Sequence, residues 1–165
     1  MSTRSAPSES AASDASVSSR PSAEEGDSTQ SITVVLDASG GDRAPGETVR
    51  GAVTAAARMP RDTIVLAGPQ DAIEAELSRM DAAAPNVEVL DAPERIGMHE
   101  EPVQALRQKR KSSIAVGVKM LSDGEADAFV SAGNTGAVVA ASTLRLRLMP
   151  GVKKPGIAVP MQAID

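Results

Sequence analysis

The chain has no cysteine, tryptophan or tyrosine, and only one phenylalanine (Phe129) and one histidine (His99). Without thiols there is no disulfide framework, no thiolate metal site and no cysteine nucleophile. A single aromatic residue cannot make a stacking platform for nucleic-acid bases. Any imidazole acid–base step has only His99 to use. Metal ligation would fall to carboxylates, and Glu94, Glu100 and Glu101, though close in sequence, have no metal-specific spacing. No apolar run approaches the ~20 residues of a membrane-spanning helix. Residues 1–30 lack Ile, Leu, Phe, Tyr and Trp and hold ten serines. Such a stretch cannot bury enough apolar surface to offset its ordering entropy, so it reads as a disordered, solvated tail. It also lacks the apolar centre of a secretory signal.

What remains, residues 31–165, reads as one globular unit. The chain has 22 acidic and 17 basic residues; the tail takes five and two, leaving the body at 17 and 15. A body so near neutrality offers no broad basic face, and nucleic acid is not expected as a partner. The core must be built from Ala, Val, Ile, Leu and Met. "SITVVLD" (31–37), "TIVLAG" (63–68), "NVEVL" (86–90) and "ADAFV" (126–130) read as strands, and "GIAVPM" (156–161) as a fifth. Helices fall between them. Val49, Ala52, Val53, Ala56 and Ala57 recur at helical spacing up to Met59. Ile73, Leu77 and Met80 do so within 69–80. Residues 103–121 read as a short helix, a basic bend at 109–111, and a second helix from Ser112 to Gly124. "NTGAVVAASTLRLRL" (134–148) completes the set. Met98 and Met120 read as core or gap-filling residues. Apolar strands alternating with helices predict an α/β fold with a mostly parallel sheet covered on both faces. In such sheets ligands sit beyond the carboxyl ends of the strands, here the loops after Leu36 and Val130.

Both loops have the composition of ligand-binding turns. "LDASGGDRAP" places Asp37, Gly40, Gly41 and Asp42 between a strand and a helix opened by Pro45. It is neither a dinucleotide fingerprint nor a Walker A loop. "FVSAGNTGAVV" packs Ser131, Asn134 and Thr135 around Gly133 and Gly136 at a helix start, a composition suited to a phosphate or an oxyanion. A simple helix cap by Asn134 or Thr135 is the plainer alternative. "LRQKRKSS" holds Arg107, Lys109, Arg110 and Lys111 ahead of Ser112 and Ser113, either of which can cap the next helix. These bases form either a solvated face or a site for phosphate, a phosphopantetheine arm or an acidic carrier.

In this order, "LDASGGDRAP", "EPVQALRQKRKSS", "DGEADAFVSAGNTGA" and "GVKKPGIAVP" resemble the bacterial phosphate acyltransferase family of phospholipid synthesis, from about Ile32 onward. The resemblance implies a three-layer α/β/α sandwich similar to phosphate acetyltransferases and isopropylmalate dehydrogenases. It implies transfer of a fatty acyl group from acyl carrier protein to inorganic phosphate, and passage of the acyl phosphate to a membrane glycerol-3-phosphate acyltransferase. It further implies a cytoplasmic homodimer able to associate peripherally with membranes, and no cofactor. Ser39, Arg43 and Lys111 depart from the family's usual residues. Family chains run to roughly twice this length, so the chain is expected to be an N-terminal portion.

For attack of phosphate on a thioester, Asn134, Ser131 and Lys109 are the candidates for catalysis. Asp37, Gly40, Gly41, Asp42, Arg107, Lys111, Ser112, Ser113, Gly133, Thr135 and Gly136 are the candidates for substrate binding. Direct attack is the expected scheme. An acyl-serine on Ser131 is the less favoured one, since no base is evident beside it in the sequence. An acyl-CoA-dependent relative and a non-catalytic phosphate-binding fragment are the alternatives.

Overall fold

The apolar runs become four strands in a computed structural model that describes residues 31–80 and 84–159. They are β1 (Thr33–Asp37), β2 (Thr63–Gly68), β3 (Val87–Asp91) and β4 (Ala128–Val130). Between and after them lie α1 (Gly46–Arg58), α2 (Gln70–Ser78), α3 (Pro102–Gln108), α4 (Ser113–Asp123) and α5 (Thr135–Leu146). Gly124 ends α4 in the left-handed region (φ 75°), the conformation that favours glycine after a helix. The expected solvated tail, residues 1–30, lies outside the described residues.

All strands pair in parallel, in the order β3-β2-β1-β4. Side-chain alternation sends Ile64, Leu66 and Leu36 to one face, where α1 and α2 cover them with Val49, Ala52, Ala56 and Ile73. Val35, Val65 and Ala67 point the other way and meet Phe129, Met120 and Ala126. There α4 lies on the sheet, α5 packs beside α4, and α3 packs against α5, through a cluster of Ile114, Val118, Ala137, Ala141 and Ala105. The result is the expected α/β/α sandwich. Contact is close where α4 crosses Phe129: a Cβ on Gly117 would fall 2.3 Å from the ring.

Two expectations need correction. Residues 156–159 form no strand, and Ile157 and Val159 are 66% and 73% exposed. Their apolar character suits a strand, but a strand needs a neighbour to satisfy its amides and carbonyls, and among the described residues this segment has none. Pro160 and Met161, the rest of that run, lie outside the described residues. Met98 is 52% exposed and so is not a core residue, whereas Met120 packs against the sheet.

The strand order fixes where a ligand can sit. From β1 the chain moves outward through β2 to β3, then returns to the other side of β1 for β4. The carboxyl ends of β1 and β4 thus flank a topological switch point, the usual crevice for ligands in open parallel sheets.

Candidate active site

Leu36 pairs with Val130 across β1 and β4, so the next residues, Asp37 and Ser131, emerge side by side. Ser131 Oγ donates to Asp37 Oδ2 at 2.7 Å and accepts from the Gly133 amide at 3.0 Å. Asp37 Oδ1 accepts from the Ser39 amide at 3.0 Å. Asp37 is only 2% exposed. Among the described residues it makes no ion pair, so its charge rests on these hydrogen-bond donors. The pair pins the two glycine loops together. A Cβ on Gly40 would stand 2.7 Å from Asp37 Oδ2 and 2.8 Å from the Gly133 nitrogen, so the loops meet this closely only because Gly40 has no side chain.

This geometry shows how the candidate side chains are engaged. A carboxylate does stand beside Ser131. The Ser131 hydroxyl is not a free donor, because its proton is directed at Asp37. Nor is the Asn134 side chain free. Its Oδ1 caps α5 by accepting from the Ala137 amide at 3.0 Å. Its Nδ2 donates to the carbonyls of Gly97, Met98 and Glu100 at 3.0, 3.4 and 3.2 Å. Asn134 therefore fastens the connection before α3 to the start of α5. Thr135 and Gly136, in the first turn of α5, keep backbone N–H groups with no partner among the described residues, as the first amides of a helix do. Gly136 also lets Pro102 approach: a Cβ there would lie 2.7 Å from Pro102 Cγ.

Lys109 has a comparable role. Its Nζ donates to the Arg95 carbonyl at 2.8 Å and to Glu100 Oε1 at 2.6 Å. The Lys109 ammonium, followed by the Gly97 amide, holds the Glu100 carboxyl below its ordinary range. Ser112 caps α4, its Oγ accepting from the Ala115 amide at 3.3 Å. Ser112 and Ser113 are 0% and 2% exposed, at the packed start of α4. Arg107, Arg110 and Lys111 are exposed, as is His99.

Three cavities surround this framework. One of about 360 Å³ lies on the first loop and is lined by Gly40, Gly41, Asp42, Arg43 and Ala132 among others. One of about 650 Å³ is mostly apolar and runs from Thr135 and Gly136 along Val139, Ala140 and Leu144, with Val103 and Ile157 opposite and Arg107 at its wall. A third, of about 230 Å³, gathers Arg107, Arg110 and Arg145 around Leu106 and Leu144. No cluster of three or more His, Asp or Glu able to hold a metal ion occurs among the described residues. No helix among them is long and apolar enough to cross a membrane.

The sequence reading missed Arg95. Its Nη2 donates to the Gly41 carbonyl at 3.1 Å, across 54 positions of chain. Nothing in the spacing of "DAPERIGMHEEP" marks that residue, because the contact exists only once the connection is folded back over the first loop.

The chain is also similar in sequence to known proteins. The model of a family described as "Fatty acid synthesis protein" matches residues 32–164. A phosphate acyltransferase of Herpetosiphon aurantiacus is 50% identical over 124 residues, which is 75% of this chain and 33% of that protein. Phosphate acyltransferases of Gloeobacter violaceus and Salinibacter ruber are each 45% identical, over 128 and 127 residues, covering 37% and 38% of their lengths. The chain thus spans 33–38% of the length of these relatives. With a family model matching residues 32–164, the chain belongs to the fatty acid synthesis protein family, among relatives that are phosphate acyltransferases.

Proposed function

We propose that this chain forms the phosphate-binding part of an acyltransferase that makes acyl phosphate from acyl carrier protein thioesters and inorganic phosphate in phospholipid synthesis. The observation that carries the reading is the pinning of two glycine loops at the β1–β4 switch point by Asp37 and Ser131. The names of the relatives support phosphate as acyl acceptor. In the reaction a phosphate oxygen attacks the thioester carbonyl carbon, the C–S bond breaks, and the carrier leaves as a thiolate that takes up the phosphate proton. Unpartnered amides at Thr135 and Gly136 are suited to the developing oxyanion, a contribution of several kcal/mol for a well-placed donor. Asp37, Ser131 and Asn134 hold the loops in place, and positioning supplies much of the remaining rate.

The exposed arginines Arg107, Arg110 and Arg145 suit an acidic carrier protein, and the comparison with acyl-CoA below separates it from the other anionic donor. A cytoplasmic homodimer, peripheral membrane association and hand-over to a membrane glycerol-3-phosphate acyltransferase belong to the same proposal. The test is a chimera in which this chain replaces the segment it matches in the Herpetosiphon aurantiacus enzyme. Acyl phosphate formed from acyl carrier protein, and more slowly from acyl-CoA, is the expected result. A soluble chimera that forms none from either donor refutes the reading.

A further inference from the structure

We infer that Arg95 is a positioning residue for the first glycine loop, fixing the Gly41–Asp42 peptide so that its N–H serves a phosphate oxyanion. The inference rests on the proposed phosphate site and adds a residue that neither the sequence motifs nor the comparisons assign.

The argument starts from the connection between β3 and α3, which is anchored at several points. Glu94 and Lys111 exchange two hydrogen bonds, from the Glu94 amide to the Lys111 carbonyl at 3.3 Å and from the Lys111 amide to Glu94 Oε2 at 2.7 Å. Lys109 holds the Arg95 carbonyl, Glu100 closes back on the Gly97 amide at 2.6 Å, and Asn134 grips the carbonyls of Gly97, Met98 and Glu100. The backbone of Arg95 is therefore fixed relative to both α3 and the second glycine loop. Its side chain then reaches the first loop, at Gly41.

Gly41 has φ of 92°, a conformation that side-chain-bearing residues rarely adopt. Among the described residues the peptide between Gly41 and Asp42 makes no other hydrogen bond. That peptide is trans, because the only cis bond among the described residues is Ala44–Pro45. In a trans peptide the carbonyl and the following N–H point to opposite sides. Holding the Gly41 carbonyl on the guanidinium therefore turns the Asp42 N–H away from Arg95. That amide has no partner among the described residues, and Gly41 and Asp42 line the cavity of about 360 Å³ while Arg95 does not. Without Arg95 the peptide could flip, and the donor would turn with it.

The test uses the 165-residue chain, by NMR, with inorganic phosphate as the probe and the melting temperature as a control on folding. In the wild type the Gly41 and Asp42 amides are expected to have rigid-backbone order parameters of about 0.85 and to shift on phosphate addition. In Arg95→Gln those order parameters should fall below about 0.6, and phosphate should bind about tenfold more weakly, the worth of one hydrogen bond, at an unchanged melting temperature. Arg95→Lys keeps the charge but not the planar fork, and should behave like the glutamine variant. Unaltered order parameters in Arg95→Gln overturn the inference. So does full recovery of phosphate binding in Arg95→Lys with the loop still mobile, which would make Arg95 a mere source of charge. The outcome is independent of acyl transfer, which the chimera decides separately: loss of activity there leaves the loop measurement standing, and the reverse.

Discussion

The Asp37 carboxylate is almost wholly buried and is held by the Ser131 hydroxyl and the Ser39 amide. Removing a donor from a buried charged acceptor costs more than the hydrogen bond is worth in water, because the acceptor stays desolvated. Ser131→Ala is therefore expected to destabilise the chain by about 1.5–3 kcal/mol, and Ser131→Thr, which keeps the hydroxyl, by well under that. Urea denaturation with an unchanged slope would read this directly. In the active chimera the same two variants separate a clamp from a nucleophile. A clamp predicts retained turnover in the threonine variant and no acyl-enzyme by mass spectrometry. At this scale the sequence was legible for residue identity but not for occupation. Asn134, Ser131 and Lys109 stand out by type and spacing, yet whether a polar side chain is free or bonded depends also on partners as far as 94 positions away.

Among the elements, α4 shows how close packing and local propensity can oppose each other. Alanine is the better helix former by about 1 kcal/mol, so on an exposed helix Gly117→Ala would stabilise. Here the added methyl would run into the Phe129 ring at 2.3–2.5 Å and approach Val35 at 3.3 Å. Overpacking of a core costs about 1–3 kcal/mol, so the propensity gain is offset and a net destabilisation of up to about 2 kcal/mol is expected from thermal or urea unfolding. The connection before α3 carries a pH dependence. Lys109 and the Gly97 amide depress the folded pKa of Glu100 from an ordinary value of 4.5. A depressed carboxylate contributes stability that is complete above its unfolded pKa and is lost as pH falls through the folded one. The chain should thus lose stability below about pH 4.5 partly through this group, and Glu100→Gln should flatten that part of the melting profile. An unchanged slope in the variant would contradict the assignment. Element type and order were readable from apolar spacing, with limits displaced by no more than two residues. The failure at residues 156–159 is informative because their pattern is strand-like and only a missing pairing partner keeps them from forming one.

For the whole molecule, pairing order was the part hidden from the sequence. Alternating strands and helices imply a parallel sheet, but β4 beside β1, rather than beside β3, depends on contacts some 94 positions apart that no local pattern encodes. That one adjacency turns two separate glycine loops into a single site. It also leaves the outer edge of β4 unpaired among the described residues, with Val130 51% exposed. The apolar groove between α3 and α5 is open nearby in sequence, and Leu144, Met149 and Ile157 are 67%, 74% and 66% exposed. Exposed apolar surface and an unpaired parallel edge both favour association. The 165-residue chain is therefore expected to sediment as a concentration-dependent mixture of monomer and larger species. Leu144→Lys, which places a charge in the groove without touching the Asp37–Ser131 pair, should shift it toward monomer with little change in melting temperature. The substitution is an exposed one, so a stability change beyond about 0.5 kcal/mol is not expected from it. A wild-type chain that stays monomeric at every concentration would show that the exposed apolar groove and edge do not drive self-association.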